Sequence, residues 1–142
     1  MDIALKRLYA AVNNGERVGV FGDFDVDGIT GTAIISEGLT SLGVPVTPYL
    51  PHRVDEGHGL SNAAIDTMAQ QGVTLIVTVD TGITSFDEVD YAKSLGVDVI
   101  ITDHHLTHGG VPNAVVSLNP KLPGGDYPFF RSADRRVGKD AS

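Results

Sequence analysis

The sequence contains no cysteine and no tryptophan, and its aromatic residues are four tyrosines and five phenylalanines among 142 residues. Without cysteine there can be no disulfide and no thiolate metal site, so a metal would need Asp, Glu, His or carbonyl oxygen ligands. No apolar run approaches the ~18 residues of a membrane span, and the N-terminus has no signal-peptide pattern. We therefore expect a cytoplasmic protein.

Basic residues are scarce: 10 Lys and Arg stand against 18 Asp and Glu, which gives a net charge of −8. Proteins that bind nucleic acid usually present a basic face, because phosphate contacts dominate their affinity. This charge argues against the chain binding a long polyanion by itself. It does not argue against a phosphate bridged by metal ions, because several of the acids fall in one predicted cluster that cations would neutralise.

Helical and strand patterns alternate along the chain. Apolar spacing and glycine stops predict helices at 2–14, 28–42, 61–71 and 85–95, and short apolar runs predict strands at 17–22, 44–50, 74–79, 97–102 and 114–118. The alternation predicts a doubly wound (Rossmann-like) α/β fold, with a mostly parallel sheet of about five strands and helices on both faces. We expect one domain over 1–130 and an irregular, disordered tail over 131–142.

Three local features refine this prediction. In the first helix, the apolar residues at helical spacing are Leu5, Leu8, Tyr9 and Val12. Pro45 and Pro48 suit an edge position for the second strand, because proline cannot donate to a ladder. The segment Ser85-Phe-Asp-Glu88 fits a capping box at the start of the fourth helix.

The chain is organised around an apolar strand that ends in Asp23, Asp25 and Asp27, followed by Gly28. Alternate positions project from one side of an extended chain, so we expect the three carboxylates to lie together. Three like charges there repel one another unless a cation compensates. A divalent metal is the simplest compensation, because hard cations take oxygen ligands.

Other potential ligands follow later strands. The third strand ends at Asp80, and the fourth ends at Asp103-His104-His105. In open parallel sheets the ligand site lies beyond the carboxyl ends of the strands. These residues are therefore predicted to converge, and could hold two divalent ions about 4 Å apart that clamp a phosphoryl group and a nucleophilic water.

Each motif has an alternative interpretation when taken alone. A calcium-binding EF-hand loop needs Glu at its twelfth position, but counting from Asp23 that position is Ile34. The segment Asp25-Val-Asp27-Gly28 also resembles haloacid-dehalogenase-like phosphatases, in which an aspartate is the nucleophile, but that family gives no role to a later histidine pair. Asp80 alone is typical of a strand-end turn in which the carboxylate accepts backbone hydrogen bonds. Adjacent histidines on a strand point in opposite directions, which favours one ligand and one substrate contact.

The ordered set of motifs is more specific than its parts. Gly22–Gly28, then Asp80-Thr-Gly82, then Asp103-His104-His105 resemble the first three motifs of the DHH phosphoesterase superfamily. The segments Arg53–Leu60 and Asn119-Pro120 look most like its single-strand-specific exonucleases. The resemblance covers roughly residues 15–130 of this chain.

The resemblance implies a role for each matching residue. The ligands of two manganese or magnesium ions would be Asp23, Asp25, Asp80 and His104. Asp25 and Asp80 would be shared by, or close to, both ions and so take part in catalysis. The other roles would be contact with the scissile phosphate by His105, contact with substrate phosphates by Arg53, and orientation of the loop and the histidine pair by Asp27 and Asp103.

Two departures from the family pattern matter. Phe21 stands where some relatives carry a histidine. The family also has a fourth-motif aspartate and a second domain that grips nucleic acid, and the chain ends before them. We therefore expect the N-terminal catalytic part of a larger, truncated 5′→3′ exonuclease whose partners are single-stranded nucleic acid and its own missing domains. The alternatives are another DHH phosphoesterase, acting on oligonucleotides, cyclic dinucleotides or polyphosphate, and an inactive metal-binding module.

Overall fold

The structure, a computed structural model, describes residues 2–23, 25–51, 59–106 and 110–120. The helices are α1 (Asp2–Asn14), α2 (Val26–Ser41), α3 (Asn62–Gln70) and α4 (Phe86–Ser94). The strands are β1 (Arg17–Gly22), β2 (Val46–Tyr49), β3 (Val73–Val79), β4 (Asp98–Thr102) and β5 (Val116–Leu118). All nine predicted elements are present with small shifts of their ends, while Arg53 and the predicted tail lie outside the described residues.

The five strands form one all-parallel sheet in the order β2-β1-β3-β4-β5. The predicted doubly wound fold is confirmed, and β2, with Pro48, lies at an edge as expected. The chain leaves β1 for β2 on one side and then returns to β3 on the other side of β1. This reversal creates a switch point between the carboxyl ends of β1 and β3, where open α/β sheets bind ligands.

Alternate strand residues face two separate apolar cores, one on each side of the sheet. One core lies under α1 and α2 and includes Ala4, Ala11, Val18, Val20, Leu39, Leu75, Val77 and Ile100. The other lies under α3 and α4 and includes Phe21, Ile65, Met68, Ile76, Val89 and Ile101. Burial of both faces explains why these strands read as continuous apolar runs. Within the described residues, no helix combines the length and the apolar content that crossing a bilayer requires.

The buried face of α1 agrees only in part with the predicted one, since Leu8 and Val12 pack against the core. Ala4 and Ala11 are buried, whereas Leu5 is exposed and Tyr9 is 62% exposed. Arg7 lies on the same stripe as the two alanines and binds Glu16 and Asp98 at 2.8 Å each. These ion pairs orient α1 so that its small residues meet the sheet.

The two serines before α3 and α4 behave differently. Ser61 caps α3, because its side chain accepts a hydrogen bond from the N–H of Ala64 at 3.1 Å. The predicted capping box at α4 is wrong, since Ser85 makes no side-chain cap bond. Its hydroxyl instead accepts the N–H of Leu60 at 3.3 Å. Ser85 therefore ties the start of α4 to the segment that precedes α3.

Candidate metal centre

The turn from β1 into α2 carries the three aspartates. Asp23 is buried just beyond β1, and its N–H donates to the carbonyl oxygen of Val79 at 3.3 Å. Asp25 is the N-cap of α2 and accepts the N–H of Gly28 on Oδ1 at 2.8 Å. The chain is helical from Val26, so the extended conformation that would project all three aspartates from one side does not continue to Asp27. Asp27 is exposed in the first turn of the helix and is not a member of the potential ligand set that contains Asp23 and Asp25.

Two glycines allow α2 to approach the end of β1 this closely. A Cβ atom on Gly28 would lie 2.2 Å from the carbonyl oxygen of Asp23 and 2.6 Å from its nitrogen. A Cβ atom on Gly22 would lie 1.8 Å from Oγ1 of Thr32. Any side chain at either position would push the helix away from the strand. The glycines therefore set where Asp25 stands relative to Asp23.

Asp80, directly after β3, has an unusual backbone conformation. Its φ of 61° is left-handed, and among the described residues it is the one non-glycine residue with positive φ. The side chain is 8% exposed, and its Oδ1 lies in ion-pair contact with Nε2 of His104. Oδ1 therefore does not perform the backbone-capping role of a simple turn aspartate. Burial raises the pKa of Asp80, His104 opposes that shift and Asp25 adds to it, so the pKa of this carboxyl lies above its usual value.

Asp103 fixes the backbone beyond β4. Its Oδ2 accepts the N–H of Ile83 at 3.1 Å. Its Oδ1 accepts the N–H of His104 at 2.7 Å and of His105 at 3.2 Å, and lies 2.6 Å from Nδ1 of His105. Burial raises the pKa of Asp103, but these hydrogen bonds outweigh burial and leave the pKa below its usual value. Asp103 is therefore an ionised carboxylate that holds the histidine pair to the turn after β3.

The two histidines lie side by side. Their rings stack with centroids 4.6 Å apart and an interplanar angle of 24°. The prediction that they point in opposite directions is wrong because β4 ends at Thr102, so the pair lies in a turn. The hydrogen bond to Asp103 raises the pKa of His105 and leaves Nε2 as its other ring nitrogen. Asn119, beyond β5, donates to the carbonyl oxygen of His105 at 2.8 Å and fixes the turn from the other side.

The side chains gather into two sets of potential metal ligands. Asp23, Asp25 and Asp80 form one set, and Asp80, His104 and His105 form the other, with the donor atoms of each set within 4.8 Å of one another. Asp80 belongs to both. Carboxylate oxygen suits magnesium and manganese, and imidazole nitrogen is a ligand of transition metals. The buried Oδ1 of Asp80 lies against Nε2 of His104, so one potential ligand atom of each residue already faces the other. The residues present therefore fit divalent cations.

Open clefts flank this row of ligands on both sides. A cleft of about 300 Å³ is lined by Asp27, Asp80, Thr102, Asp103, His104 and Leu118. A second, also about 300 Å³, is lined by Asp23, Gly59, Thr81, Gly82, Ile83, Thr84, Asp103 and His105. Solvent and a ligand can therefore reach the row from either side.

These features define an α/β protein with a candidate divalent-metal centre at the switch point of a parallel sheet. The DHH family, N-terminal domain, matches residues 17–132. The match covers most of the chain, and the chain belongs to this family. The resemblance inferred from the three motifs is confirmed.

The relatives include single-stranded-DNA-specific exonucleases named RecJ. The chain is 40% identical to RecJ of Bacillus subtilis over 129 residues, which is 91% of this chain and 16% of the relative. It is 44% identical to RecJ of Escherichia coli, covering 90% of this chain and 22% of the relative. The chain therefore spans about a fifth of the length of these curated relatives.

Two solved structures of RecJ share the fold. A manganese-bound RecJ superposes with a TM-score of 0.77 at 40% identity, over 88% of this chain and 31% of the other. RecJ of Thermus thermophilus in complex with Mn²⁺ gives a TM-score of 0.70 at 32% identity, over 96% of this chain and 20% of the other. The divalent cofactor found in these relatives agrees with the one that the sequence predicts.

Proposed function

We propose that this chain forms the metal-binding N-terminal part of a RecJ-like exonuclease, which hydrolyses phosphodiester bonds of single-stranded DNA in the 5′→3′ direction. One observation carries the proposal: Asp80 belongs to both sets of potential ligands at the strand ends. A carboxylate shared in this way suits two cations that act on one phosphate. Membership of the DHH family supports the reaction class, and the RecJ relatives support the substrate.

The proposed metal ligands are Asp23, Asp25, Asp80 and His104. Asp25 keeps Oδ1 on the N–H of Gly28, which leaves Oδ2 to face the ion. Asp80 contributes the buried Oδ1 that lies against Nε2 of His104. Two manganese or magnesium ions held there would supply a nucleophilic water at neutral pH and neutralise charge on the phosphate.

The phosphate contact is assigned to His105. Asp103 holds Nδ1 of this ring and raises its pKa, so Nε2 is the ring nitrogen left to face a phosphate oxygen. Asp103 and Asp27 act by orienting neighbours, Asp103 through the histidine pair and Asp27 through the turn into α2. Arg53 is proposed to contact substrate phosphates, a role that suits the fork of a guanidinium.

The wider assignments rest on the relatives. Single-stranded nucleic acid would be bound with the help of further domains of the same enzyme, which would provide the basic surface that a net charge of −8 lacks. Residues 1–130 are proposed as the DHH subdomain. A cytoplasmic location would suit an enzyme that acts on DNA.

The test is a manganese-dependent assay on 5′-labelled single-stranded DNA, run beside duplex DNA, a dinucleotide and polyphosphate. The variant is Asp80→Asn, which removes the charge while keeping a residue type that tolerates positive φ. The control is Asp90→Asn, the same change at an exposed position of α4. We expect mononucleotide release from single strands by the wild-type chain and the control, and its loss in Asp80→Asn.

Other outcomes would contradict the proposal in distinct ways. Hydrolysis of the dinucleotide or of polyphosphate alone would favour another DHH phosphoesterase. Stabilisation of the fold by manganese without hydrolysis of any substrate would favour an inactive metal-binding module. Activity that persists in Asp80→Asn would refute the assignment of the site.

A further inference from the structure

Thr78 is a fully buried hydroxyl residue near the end of β3, two positions before Asp80. Its hydroxyl donates to the carbonyl oxygen of Thr81 at 2.7 Å. The same oxygen accepts the N–H of Thr102 at 3.3 Å. A hydroxyl has one donor and two acceptor sites, so it can make both bonds at once.

These bonds join the two turns that carry the candidate ligands. Thr81 follows Asp80 in the turn after β3, and Thr102 is the last residue of β4, two residues before His104. Thr102 also returns a bond, since its hydroxyl donates to the carbonyl oxygen of Thr78 at 2.5 Å. The pair of threonines therefore links the Asp80 turn to the strand that ends at the histidines.

The hydroxyl also lies directly beneath the irregular part of the turn. A Cβ atom on Gly82, whose φ is 106°, would lie 2.9 Å from Oγ1 of Thr78. Asp80 itself has a φ of 61°. A left-handed aspartate costs energy that neighbouring contacts must offset, and the bond from Thr78 to Thr81 is such a contact.

We propose that Thr78 is a positioning residue for the metal centre: its hydroxyl holds the Asp80 turn against β4, so that Asp80 and His104 stand at ligand distance from a shared divalent cation. Thr78 is not among the potential ligands. This inference rests on the proposed function. It predicts that removing one buried oxygen atom weakens metal binding through backbone geometry alone.

Thr74 provides a matched control on the same strand. Its hydroxyl donates to Oε1 of Glu16 at 2.6 Å, near the opposite end of β3. Replacement by valine at either position keeps the shape of the side chain, and it removes two hydroxyl hydrogen bonds at Thr78 and one at Thr74. A general loss of stability should therefore appear in both variants, whereas a loss of metal affinity should appear only in Thr78→Val.

The test measures manganese affinity of the full 142-residue chain by calorimetric titration, for the wild type and for Thr78→Val, Thr78→Ala, Thr78→Ser, Thr74→Val and Asp80→Asn. Loss of a residue that orients a ligand typically costs ~10- to 100-fold in metal affinity. We expect manganese affinity to fall about tenfold or more in Thr78→Val and Thr78→Ala. In Thr78→Ser, which keeps the hydroxyl, it should fall less than about threefold. Thr74→Val should bind like the wild type.

A second readout needs no metal. Amide hydrogen exchange of the metal-free chain should be faster at Thr102 in Thr78→Val, where its N–H loses its acceptor, and unchanged in Thr78→Ser. If Thr78→Val fails to fold, the comparison of Thr78→Ser with Thr78→Ala tests the role of the hydroxyl. Both side chains are smaller than threonine, and only serine keeps the hydroxyl.

Three results separate the possible failures. Wild-type affinity in Thr78→Val or Thr78→Ala would overturn the inference. Equal losses of manganese affinity in Thr78→Ser and Thr78→Ala would also overturn the inference, because the lost packing of the threonine methyl group would then explain the effect. Unchanged affinity in Asp80→Asn would instead refute the proposed metal centre itself.

Discussion

Replacing Gly28 by alanine should destabilise the protein even though alanine favours helices. The new Cβ atom would lie 2.2 Å from the carbonyl oxygen of Asp23 and 2.6 Å from its nitrogen. Both contacts are with backbone, so no side-chain rotation can relieve them. The start of α2 would have to move away from β1, and the Asp25 cap would move with it.

The magnitude follows from two opposing terms. Overpacking a tight site costs about 1–3 kcal/mol, and a contact with backbone belongs at the upper end of that range. Alanine in place of glycine inside a helix returns about 1 kcal/mol. We therefore expect Gly28→Ala to lose about 1–2 kcal/mol of unfolding free energy. Gly38→Ala, in the same helix with no atom within 4 Å of its new Cβ, should gain up to about 1 kcal/mol.

The measurement is equilibrium urea unfolding of the metal-free chain, which separates stability from metal binding. The two glycine variants should shift the midpoint in opposite directions. Equal stabilisation in both variants would refute the close approach of α2 to β1. Manganese affinity should fall in Gly28→Ala alone, because only that change displaces Asp25 from Asp23.

Two further predictions concern regions away from the metal centre. Hydrogen bonds from Arg7 and then Thr74 lower the pKa of Glu16 from its usual 4.5. Glu16→Gln should therefore lower the free energy of unfolding by about 1–3 kcal/mol at pH 7. In urea unfolding, this difference from the wild type should shrink as the pH falls below 4.5, and a pH-independent difference would contradict the prediction. Ser61→Ala removes the cap on the N–H of Ala64 and should cost about 1 kcal/mol; an unchanged unfolding midpoint would argue against the cap.

The element order and the convergence of ligands could be predicted from the sequence because both follow from local patterns. Apolar strands followed by helices and glycine stops indicate a parallel sheet, and the strand ends of such a sheet share one edge. Asp23 and Asp80 directly follow a strand and His104 comes one residue later after β4, so their meeting could be predicted without the strand order. The strand order itself depends on packing between units that look alike in sequence.

The details that the sequence misses arise from turns and single hydrogen bonds. Asp25 caps α2, which removes Asp27 from the group that strand alternation predicts. The histidine pair stacks because β4 ends before it. Threonine is common in strands, so the sequence alone does not single out Thr78. Its proposed role depends on its contact with the turn after β3, which is visible only in the fold.

The central claim is that Asp80 serves two metal ions, and a manganese titration of the 142-residue chain tests it most directly. The wild type should bind two ions. Asp23→Asn and His104→Gln should each weaken mainly one binding event, whereas Asp80→Asn should weaken both, because its carboxylate belongs to both ligand sets. An Asp80→Asn variant that keeps one binding event at wild-type affinity would contradict the account.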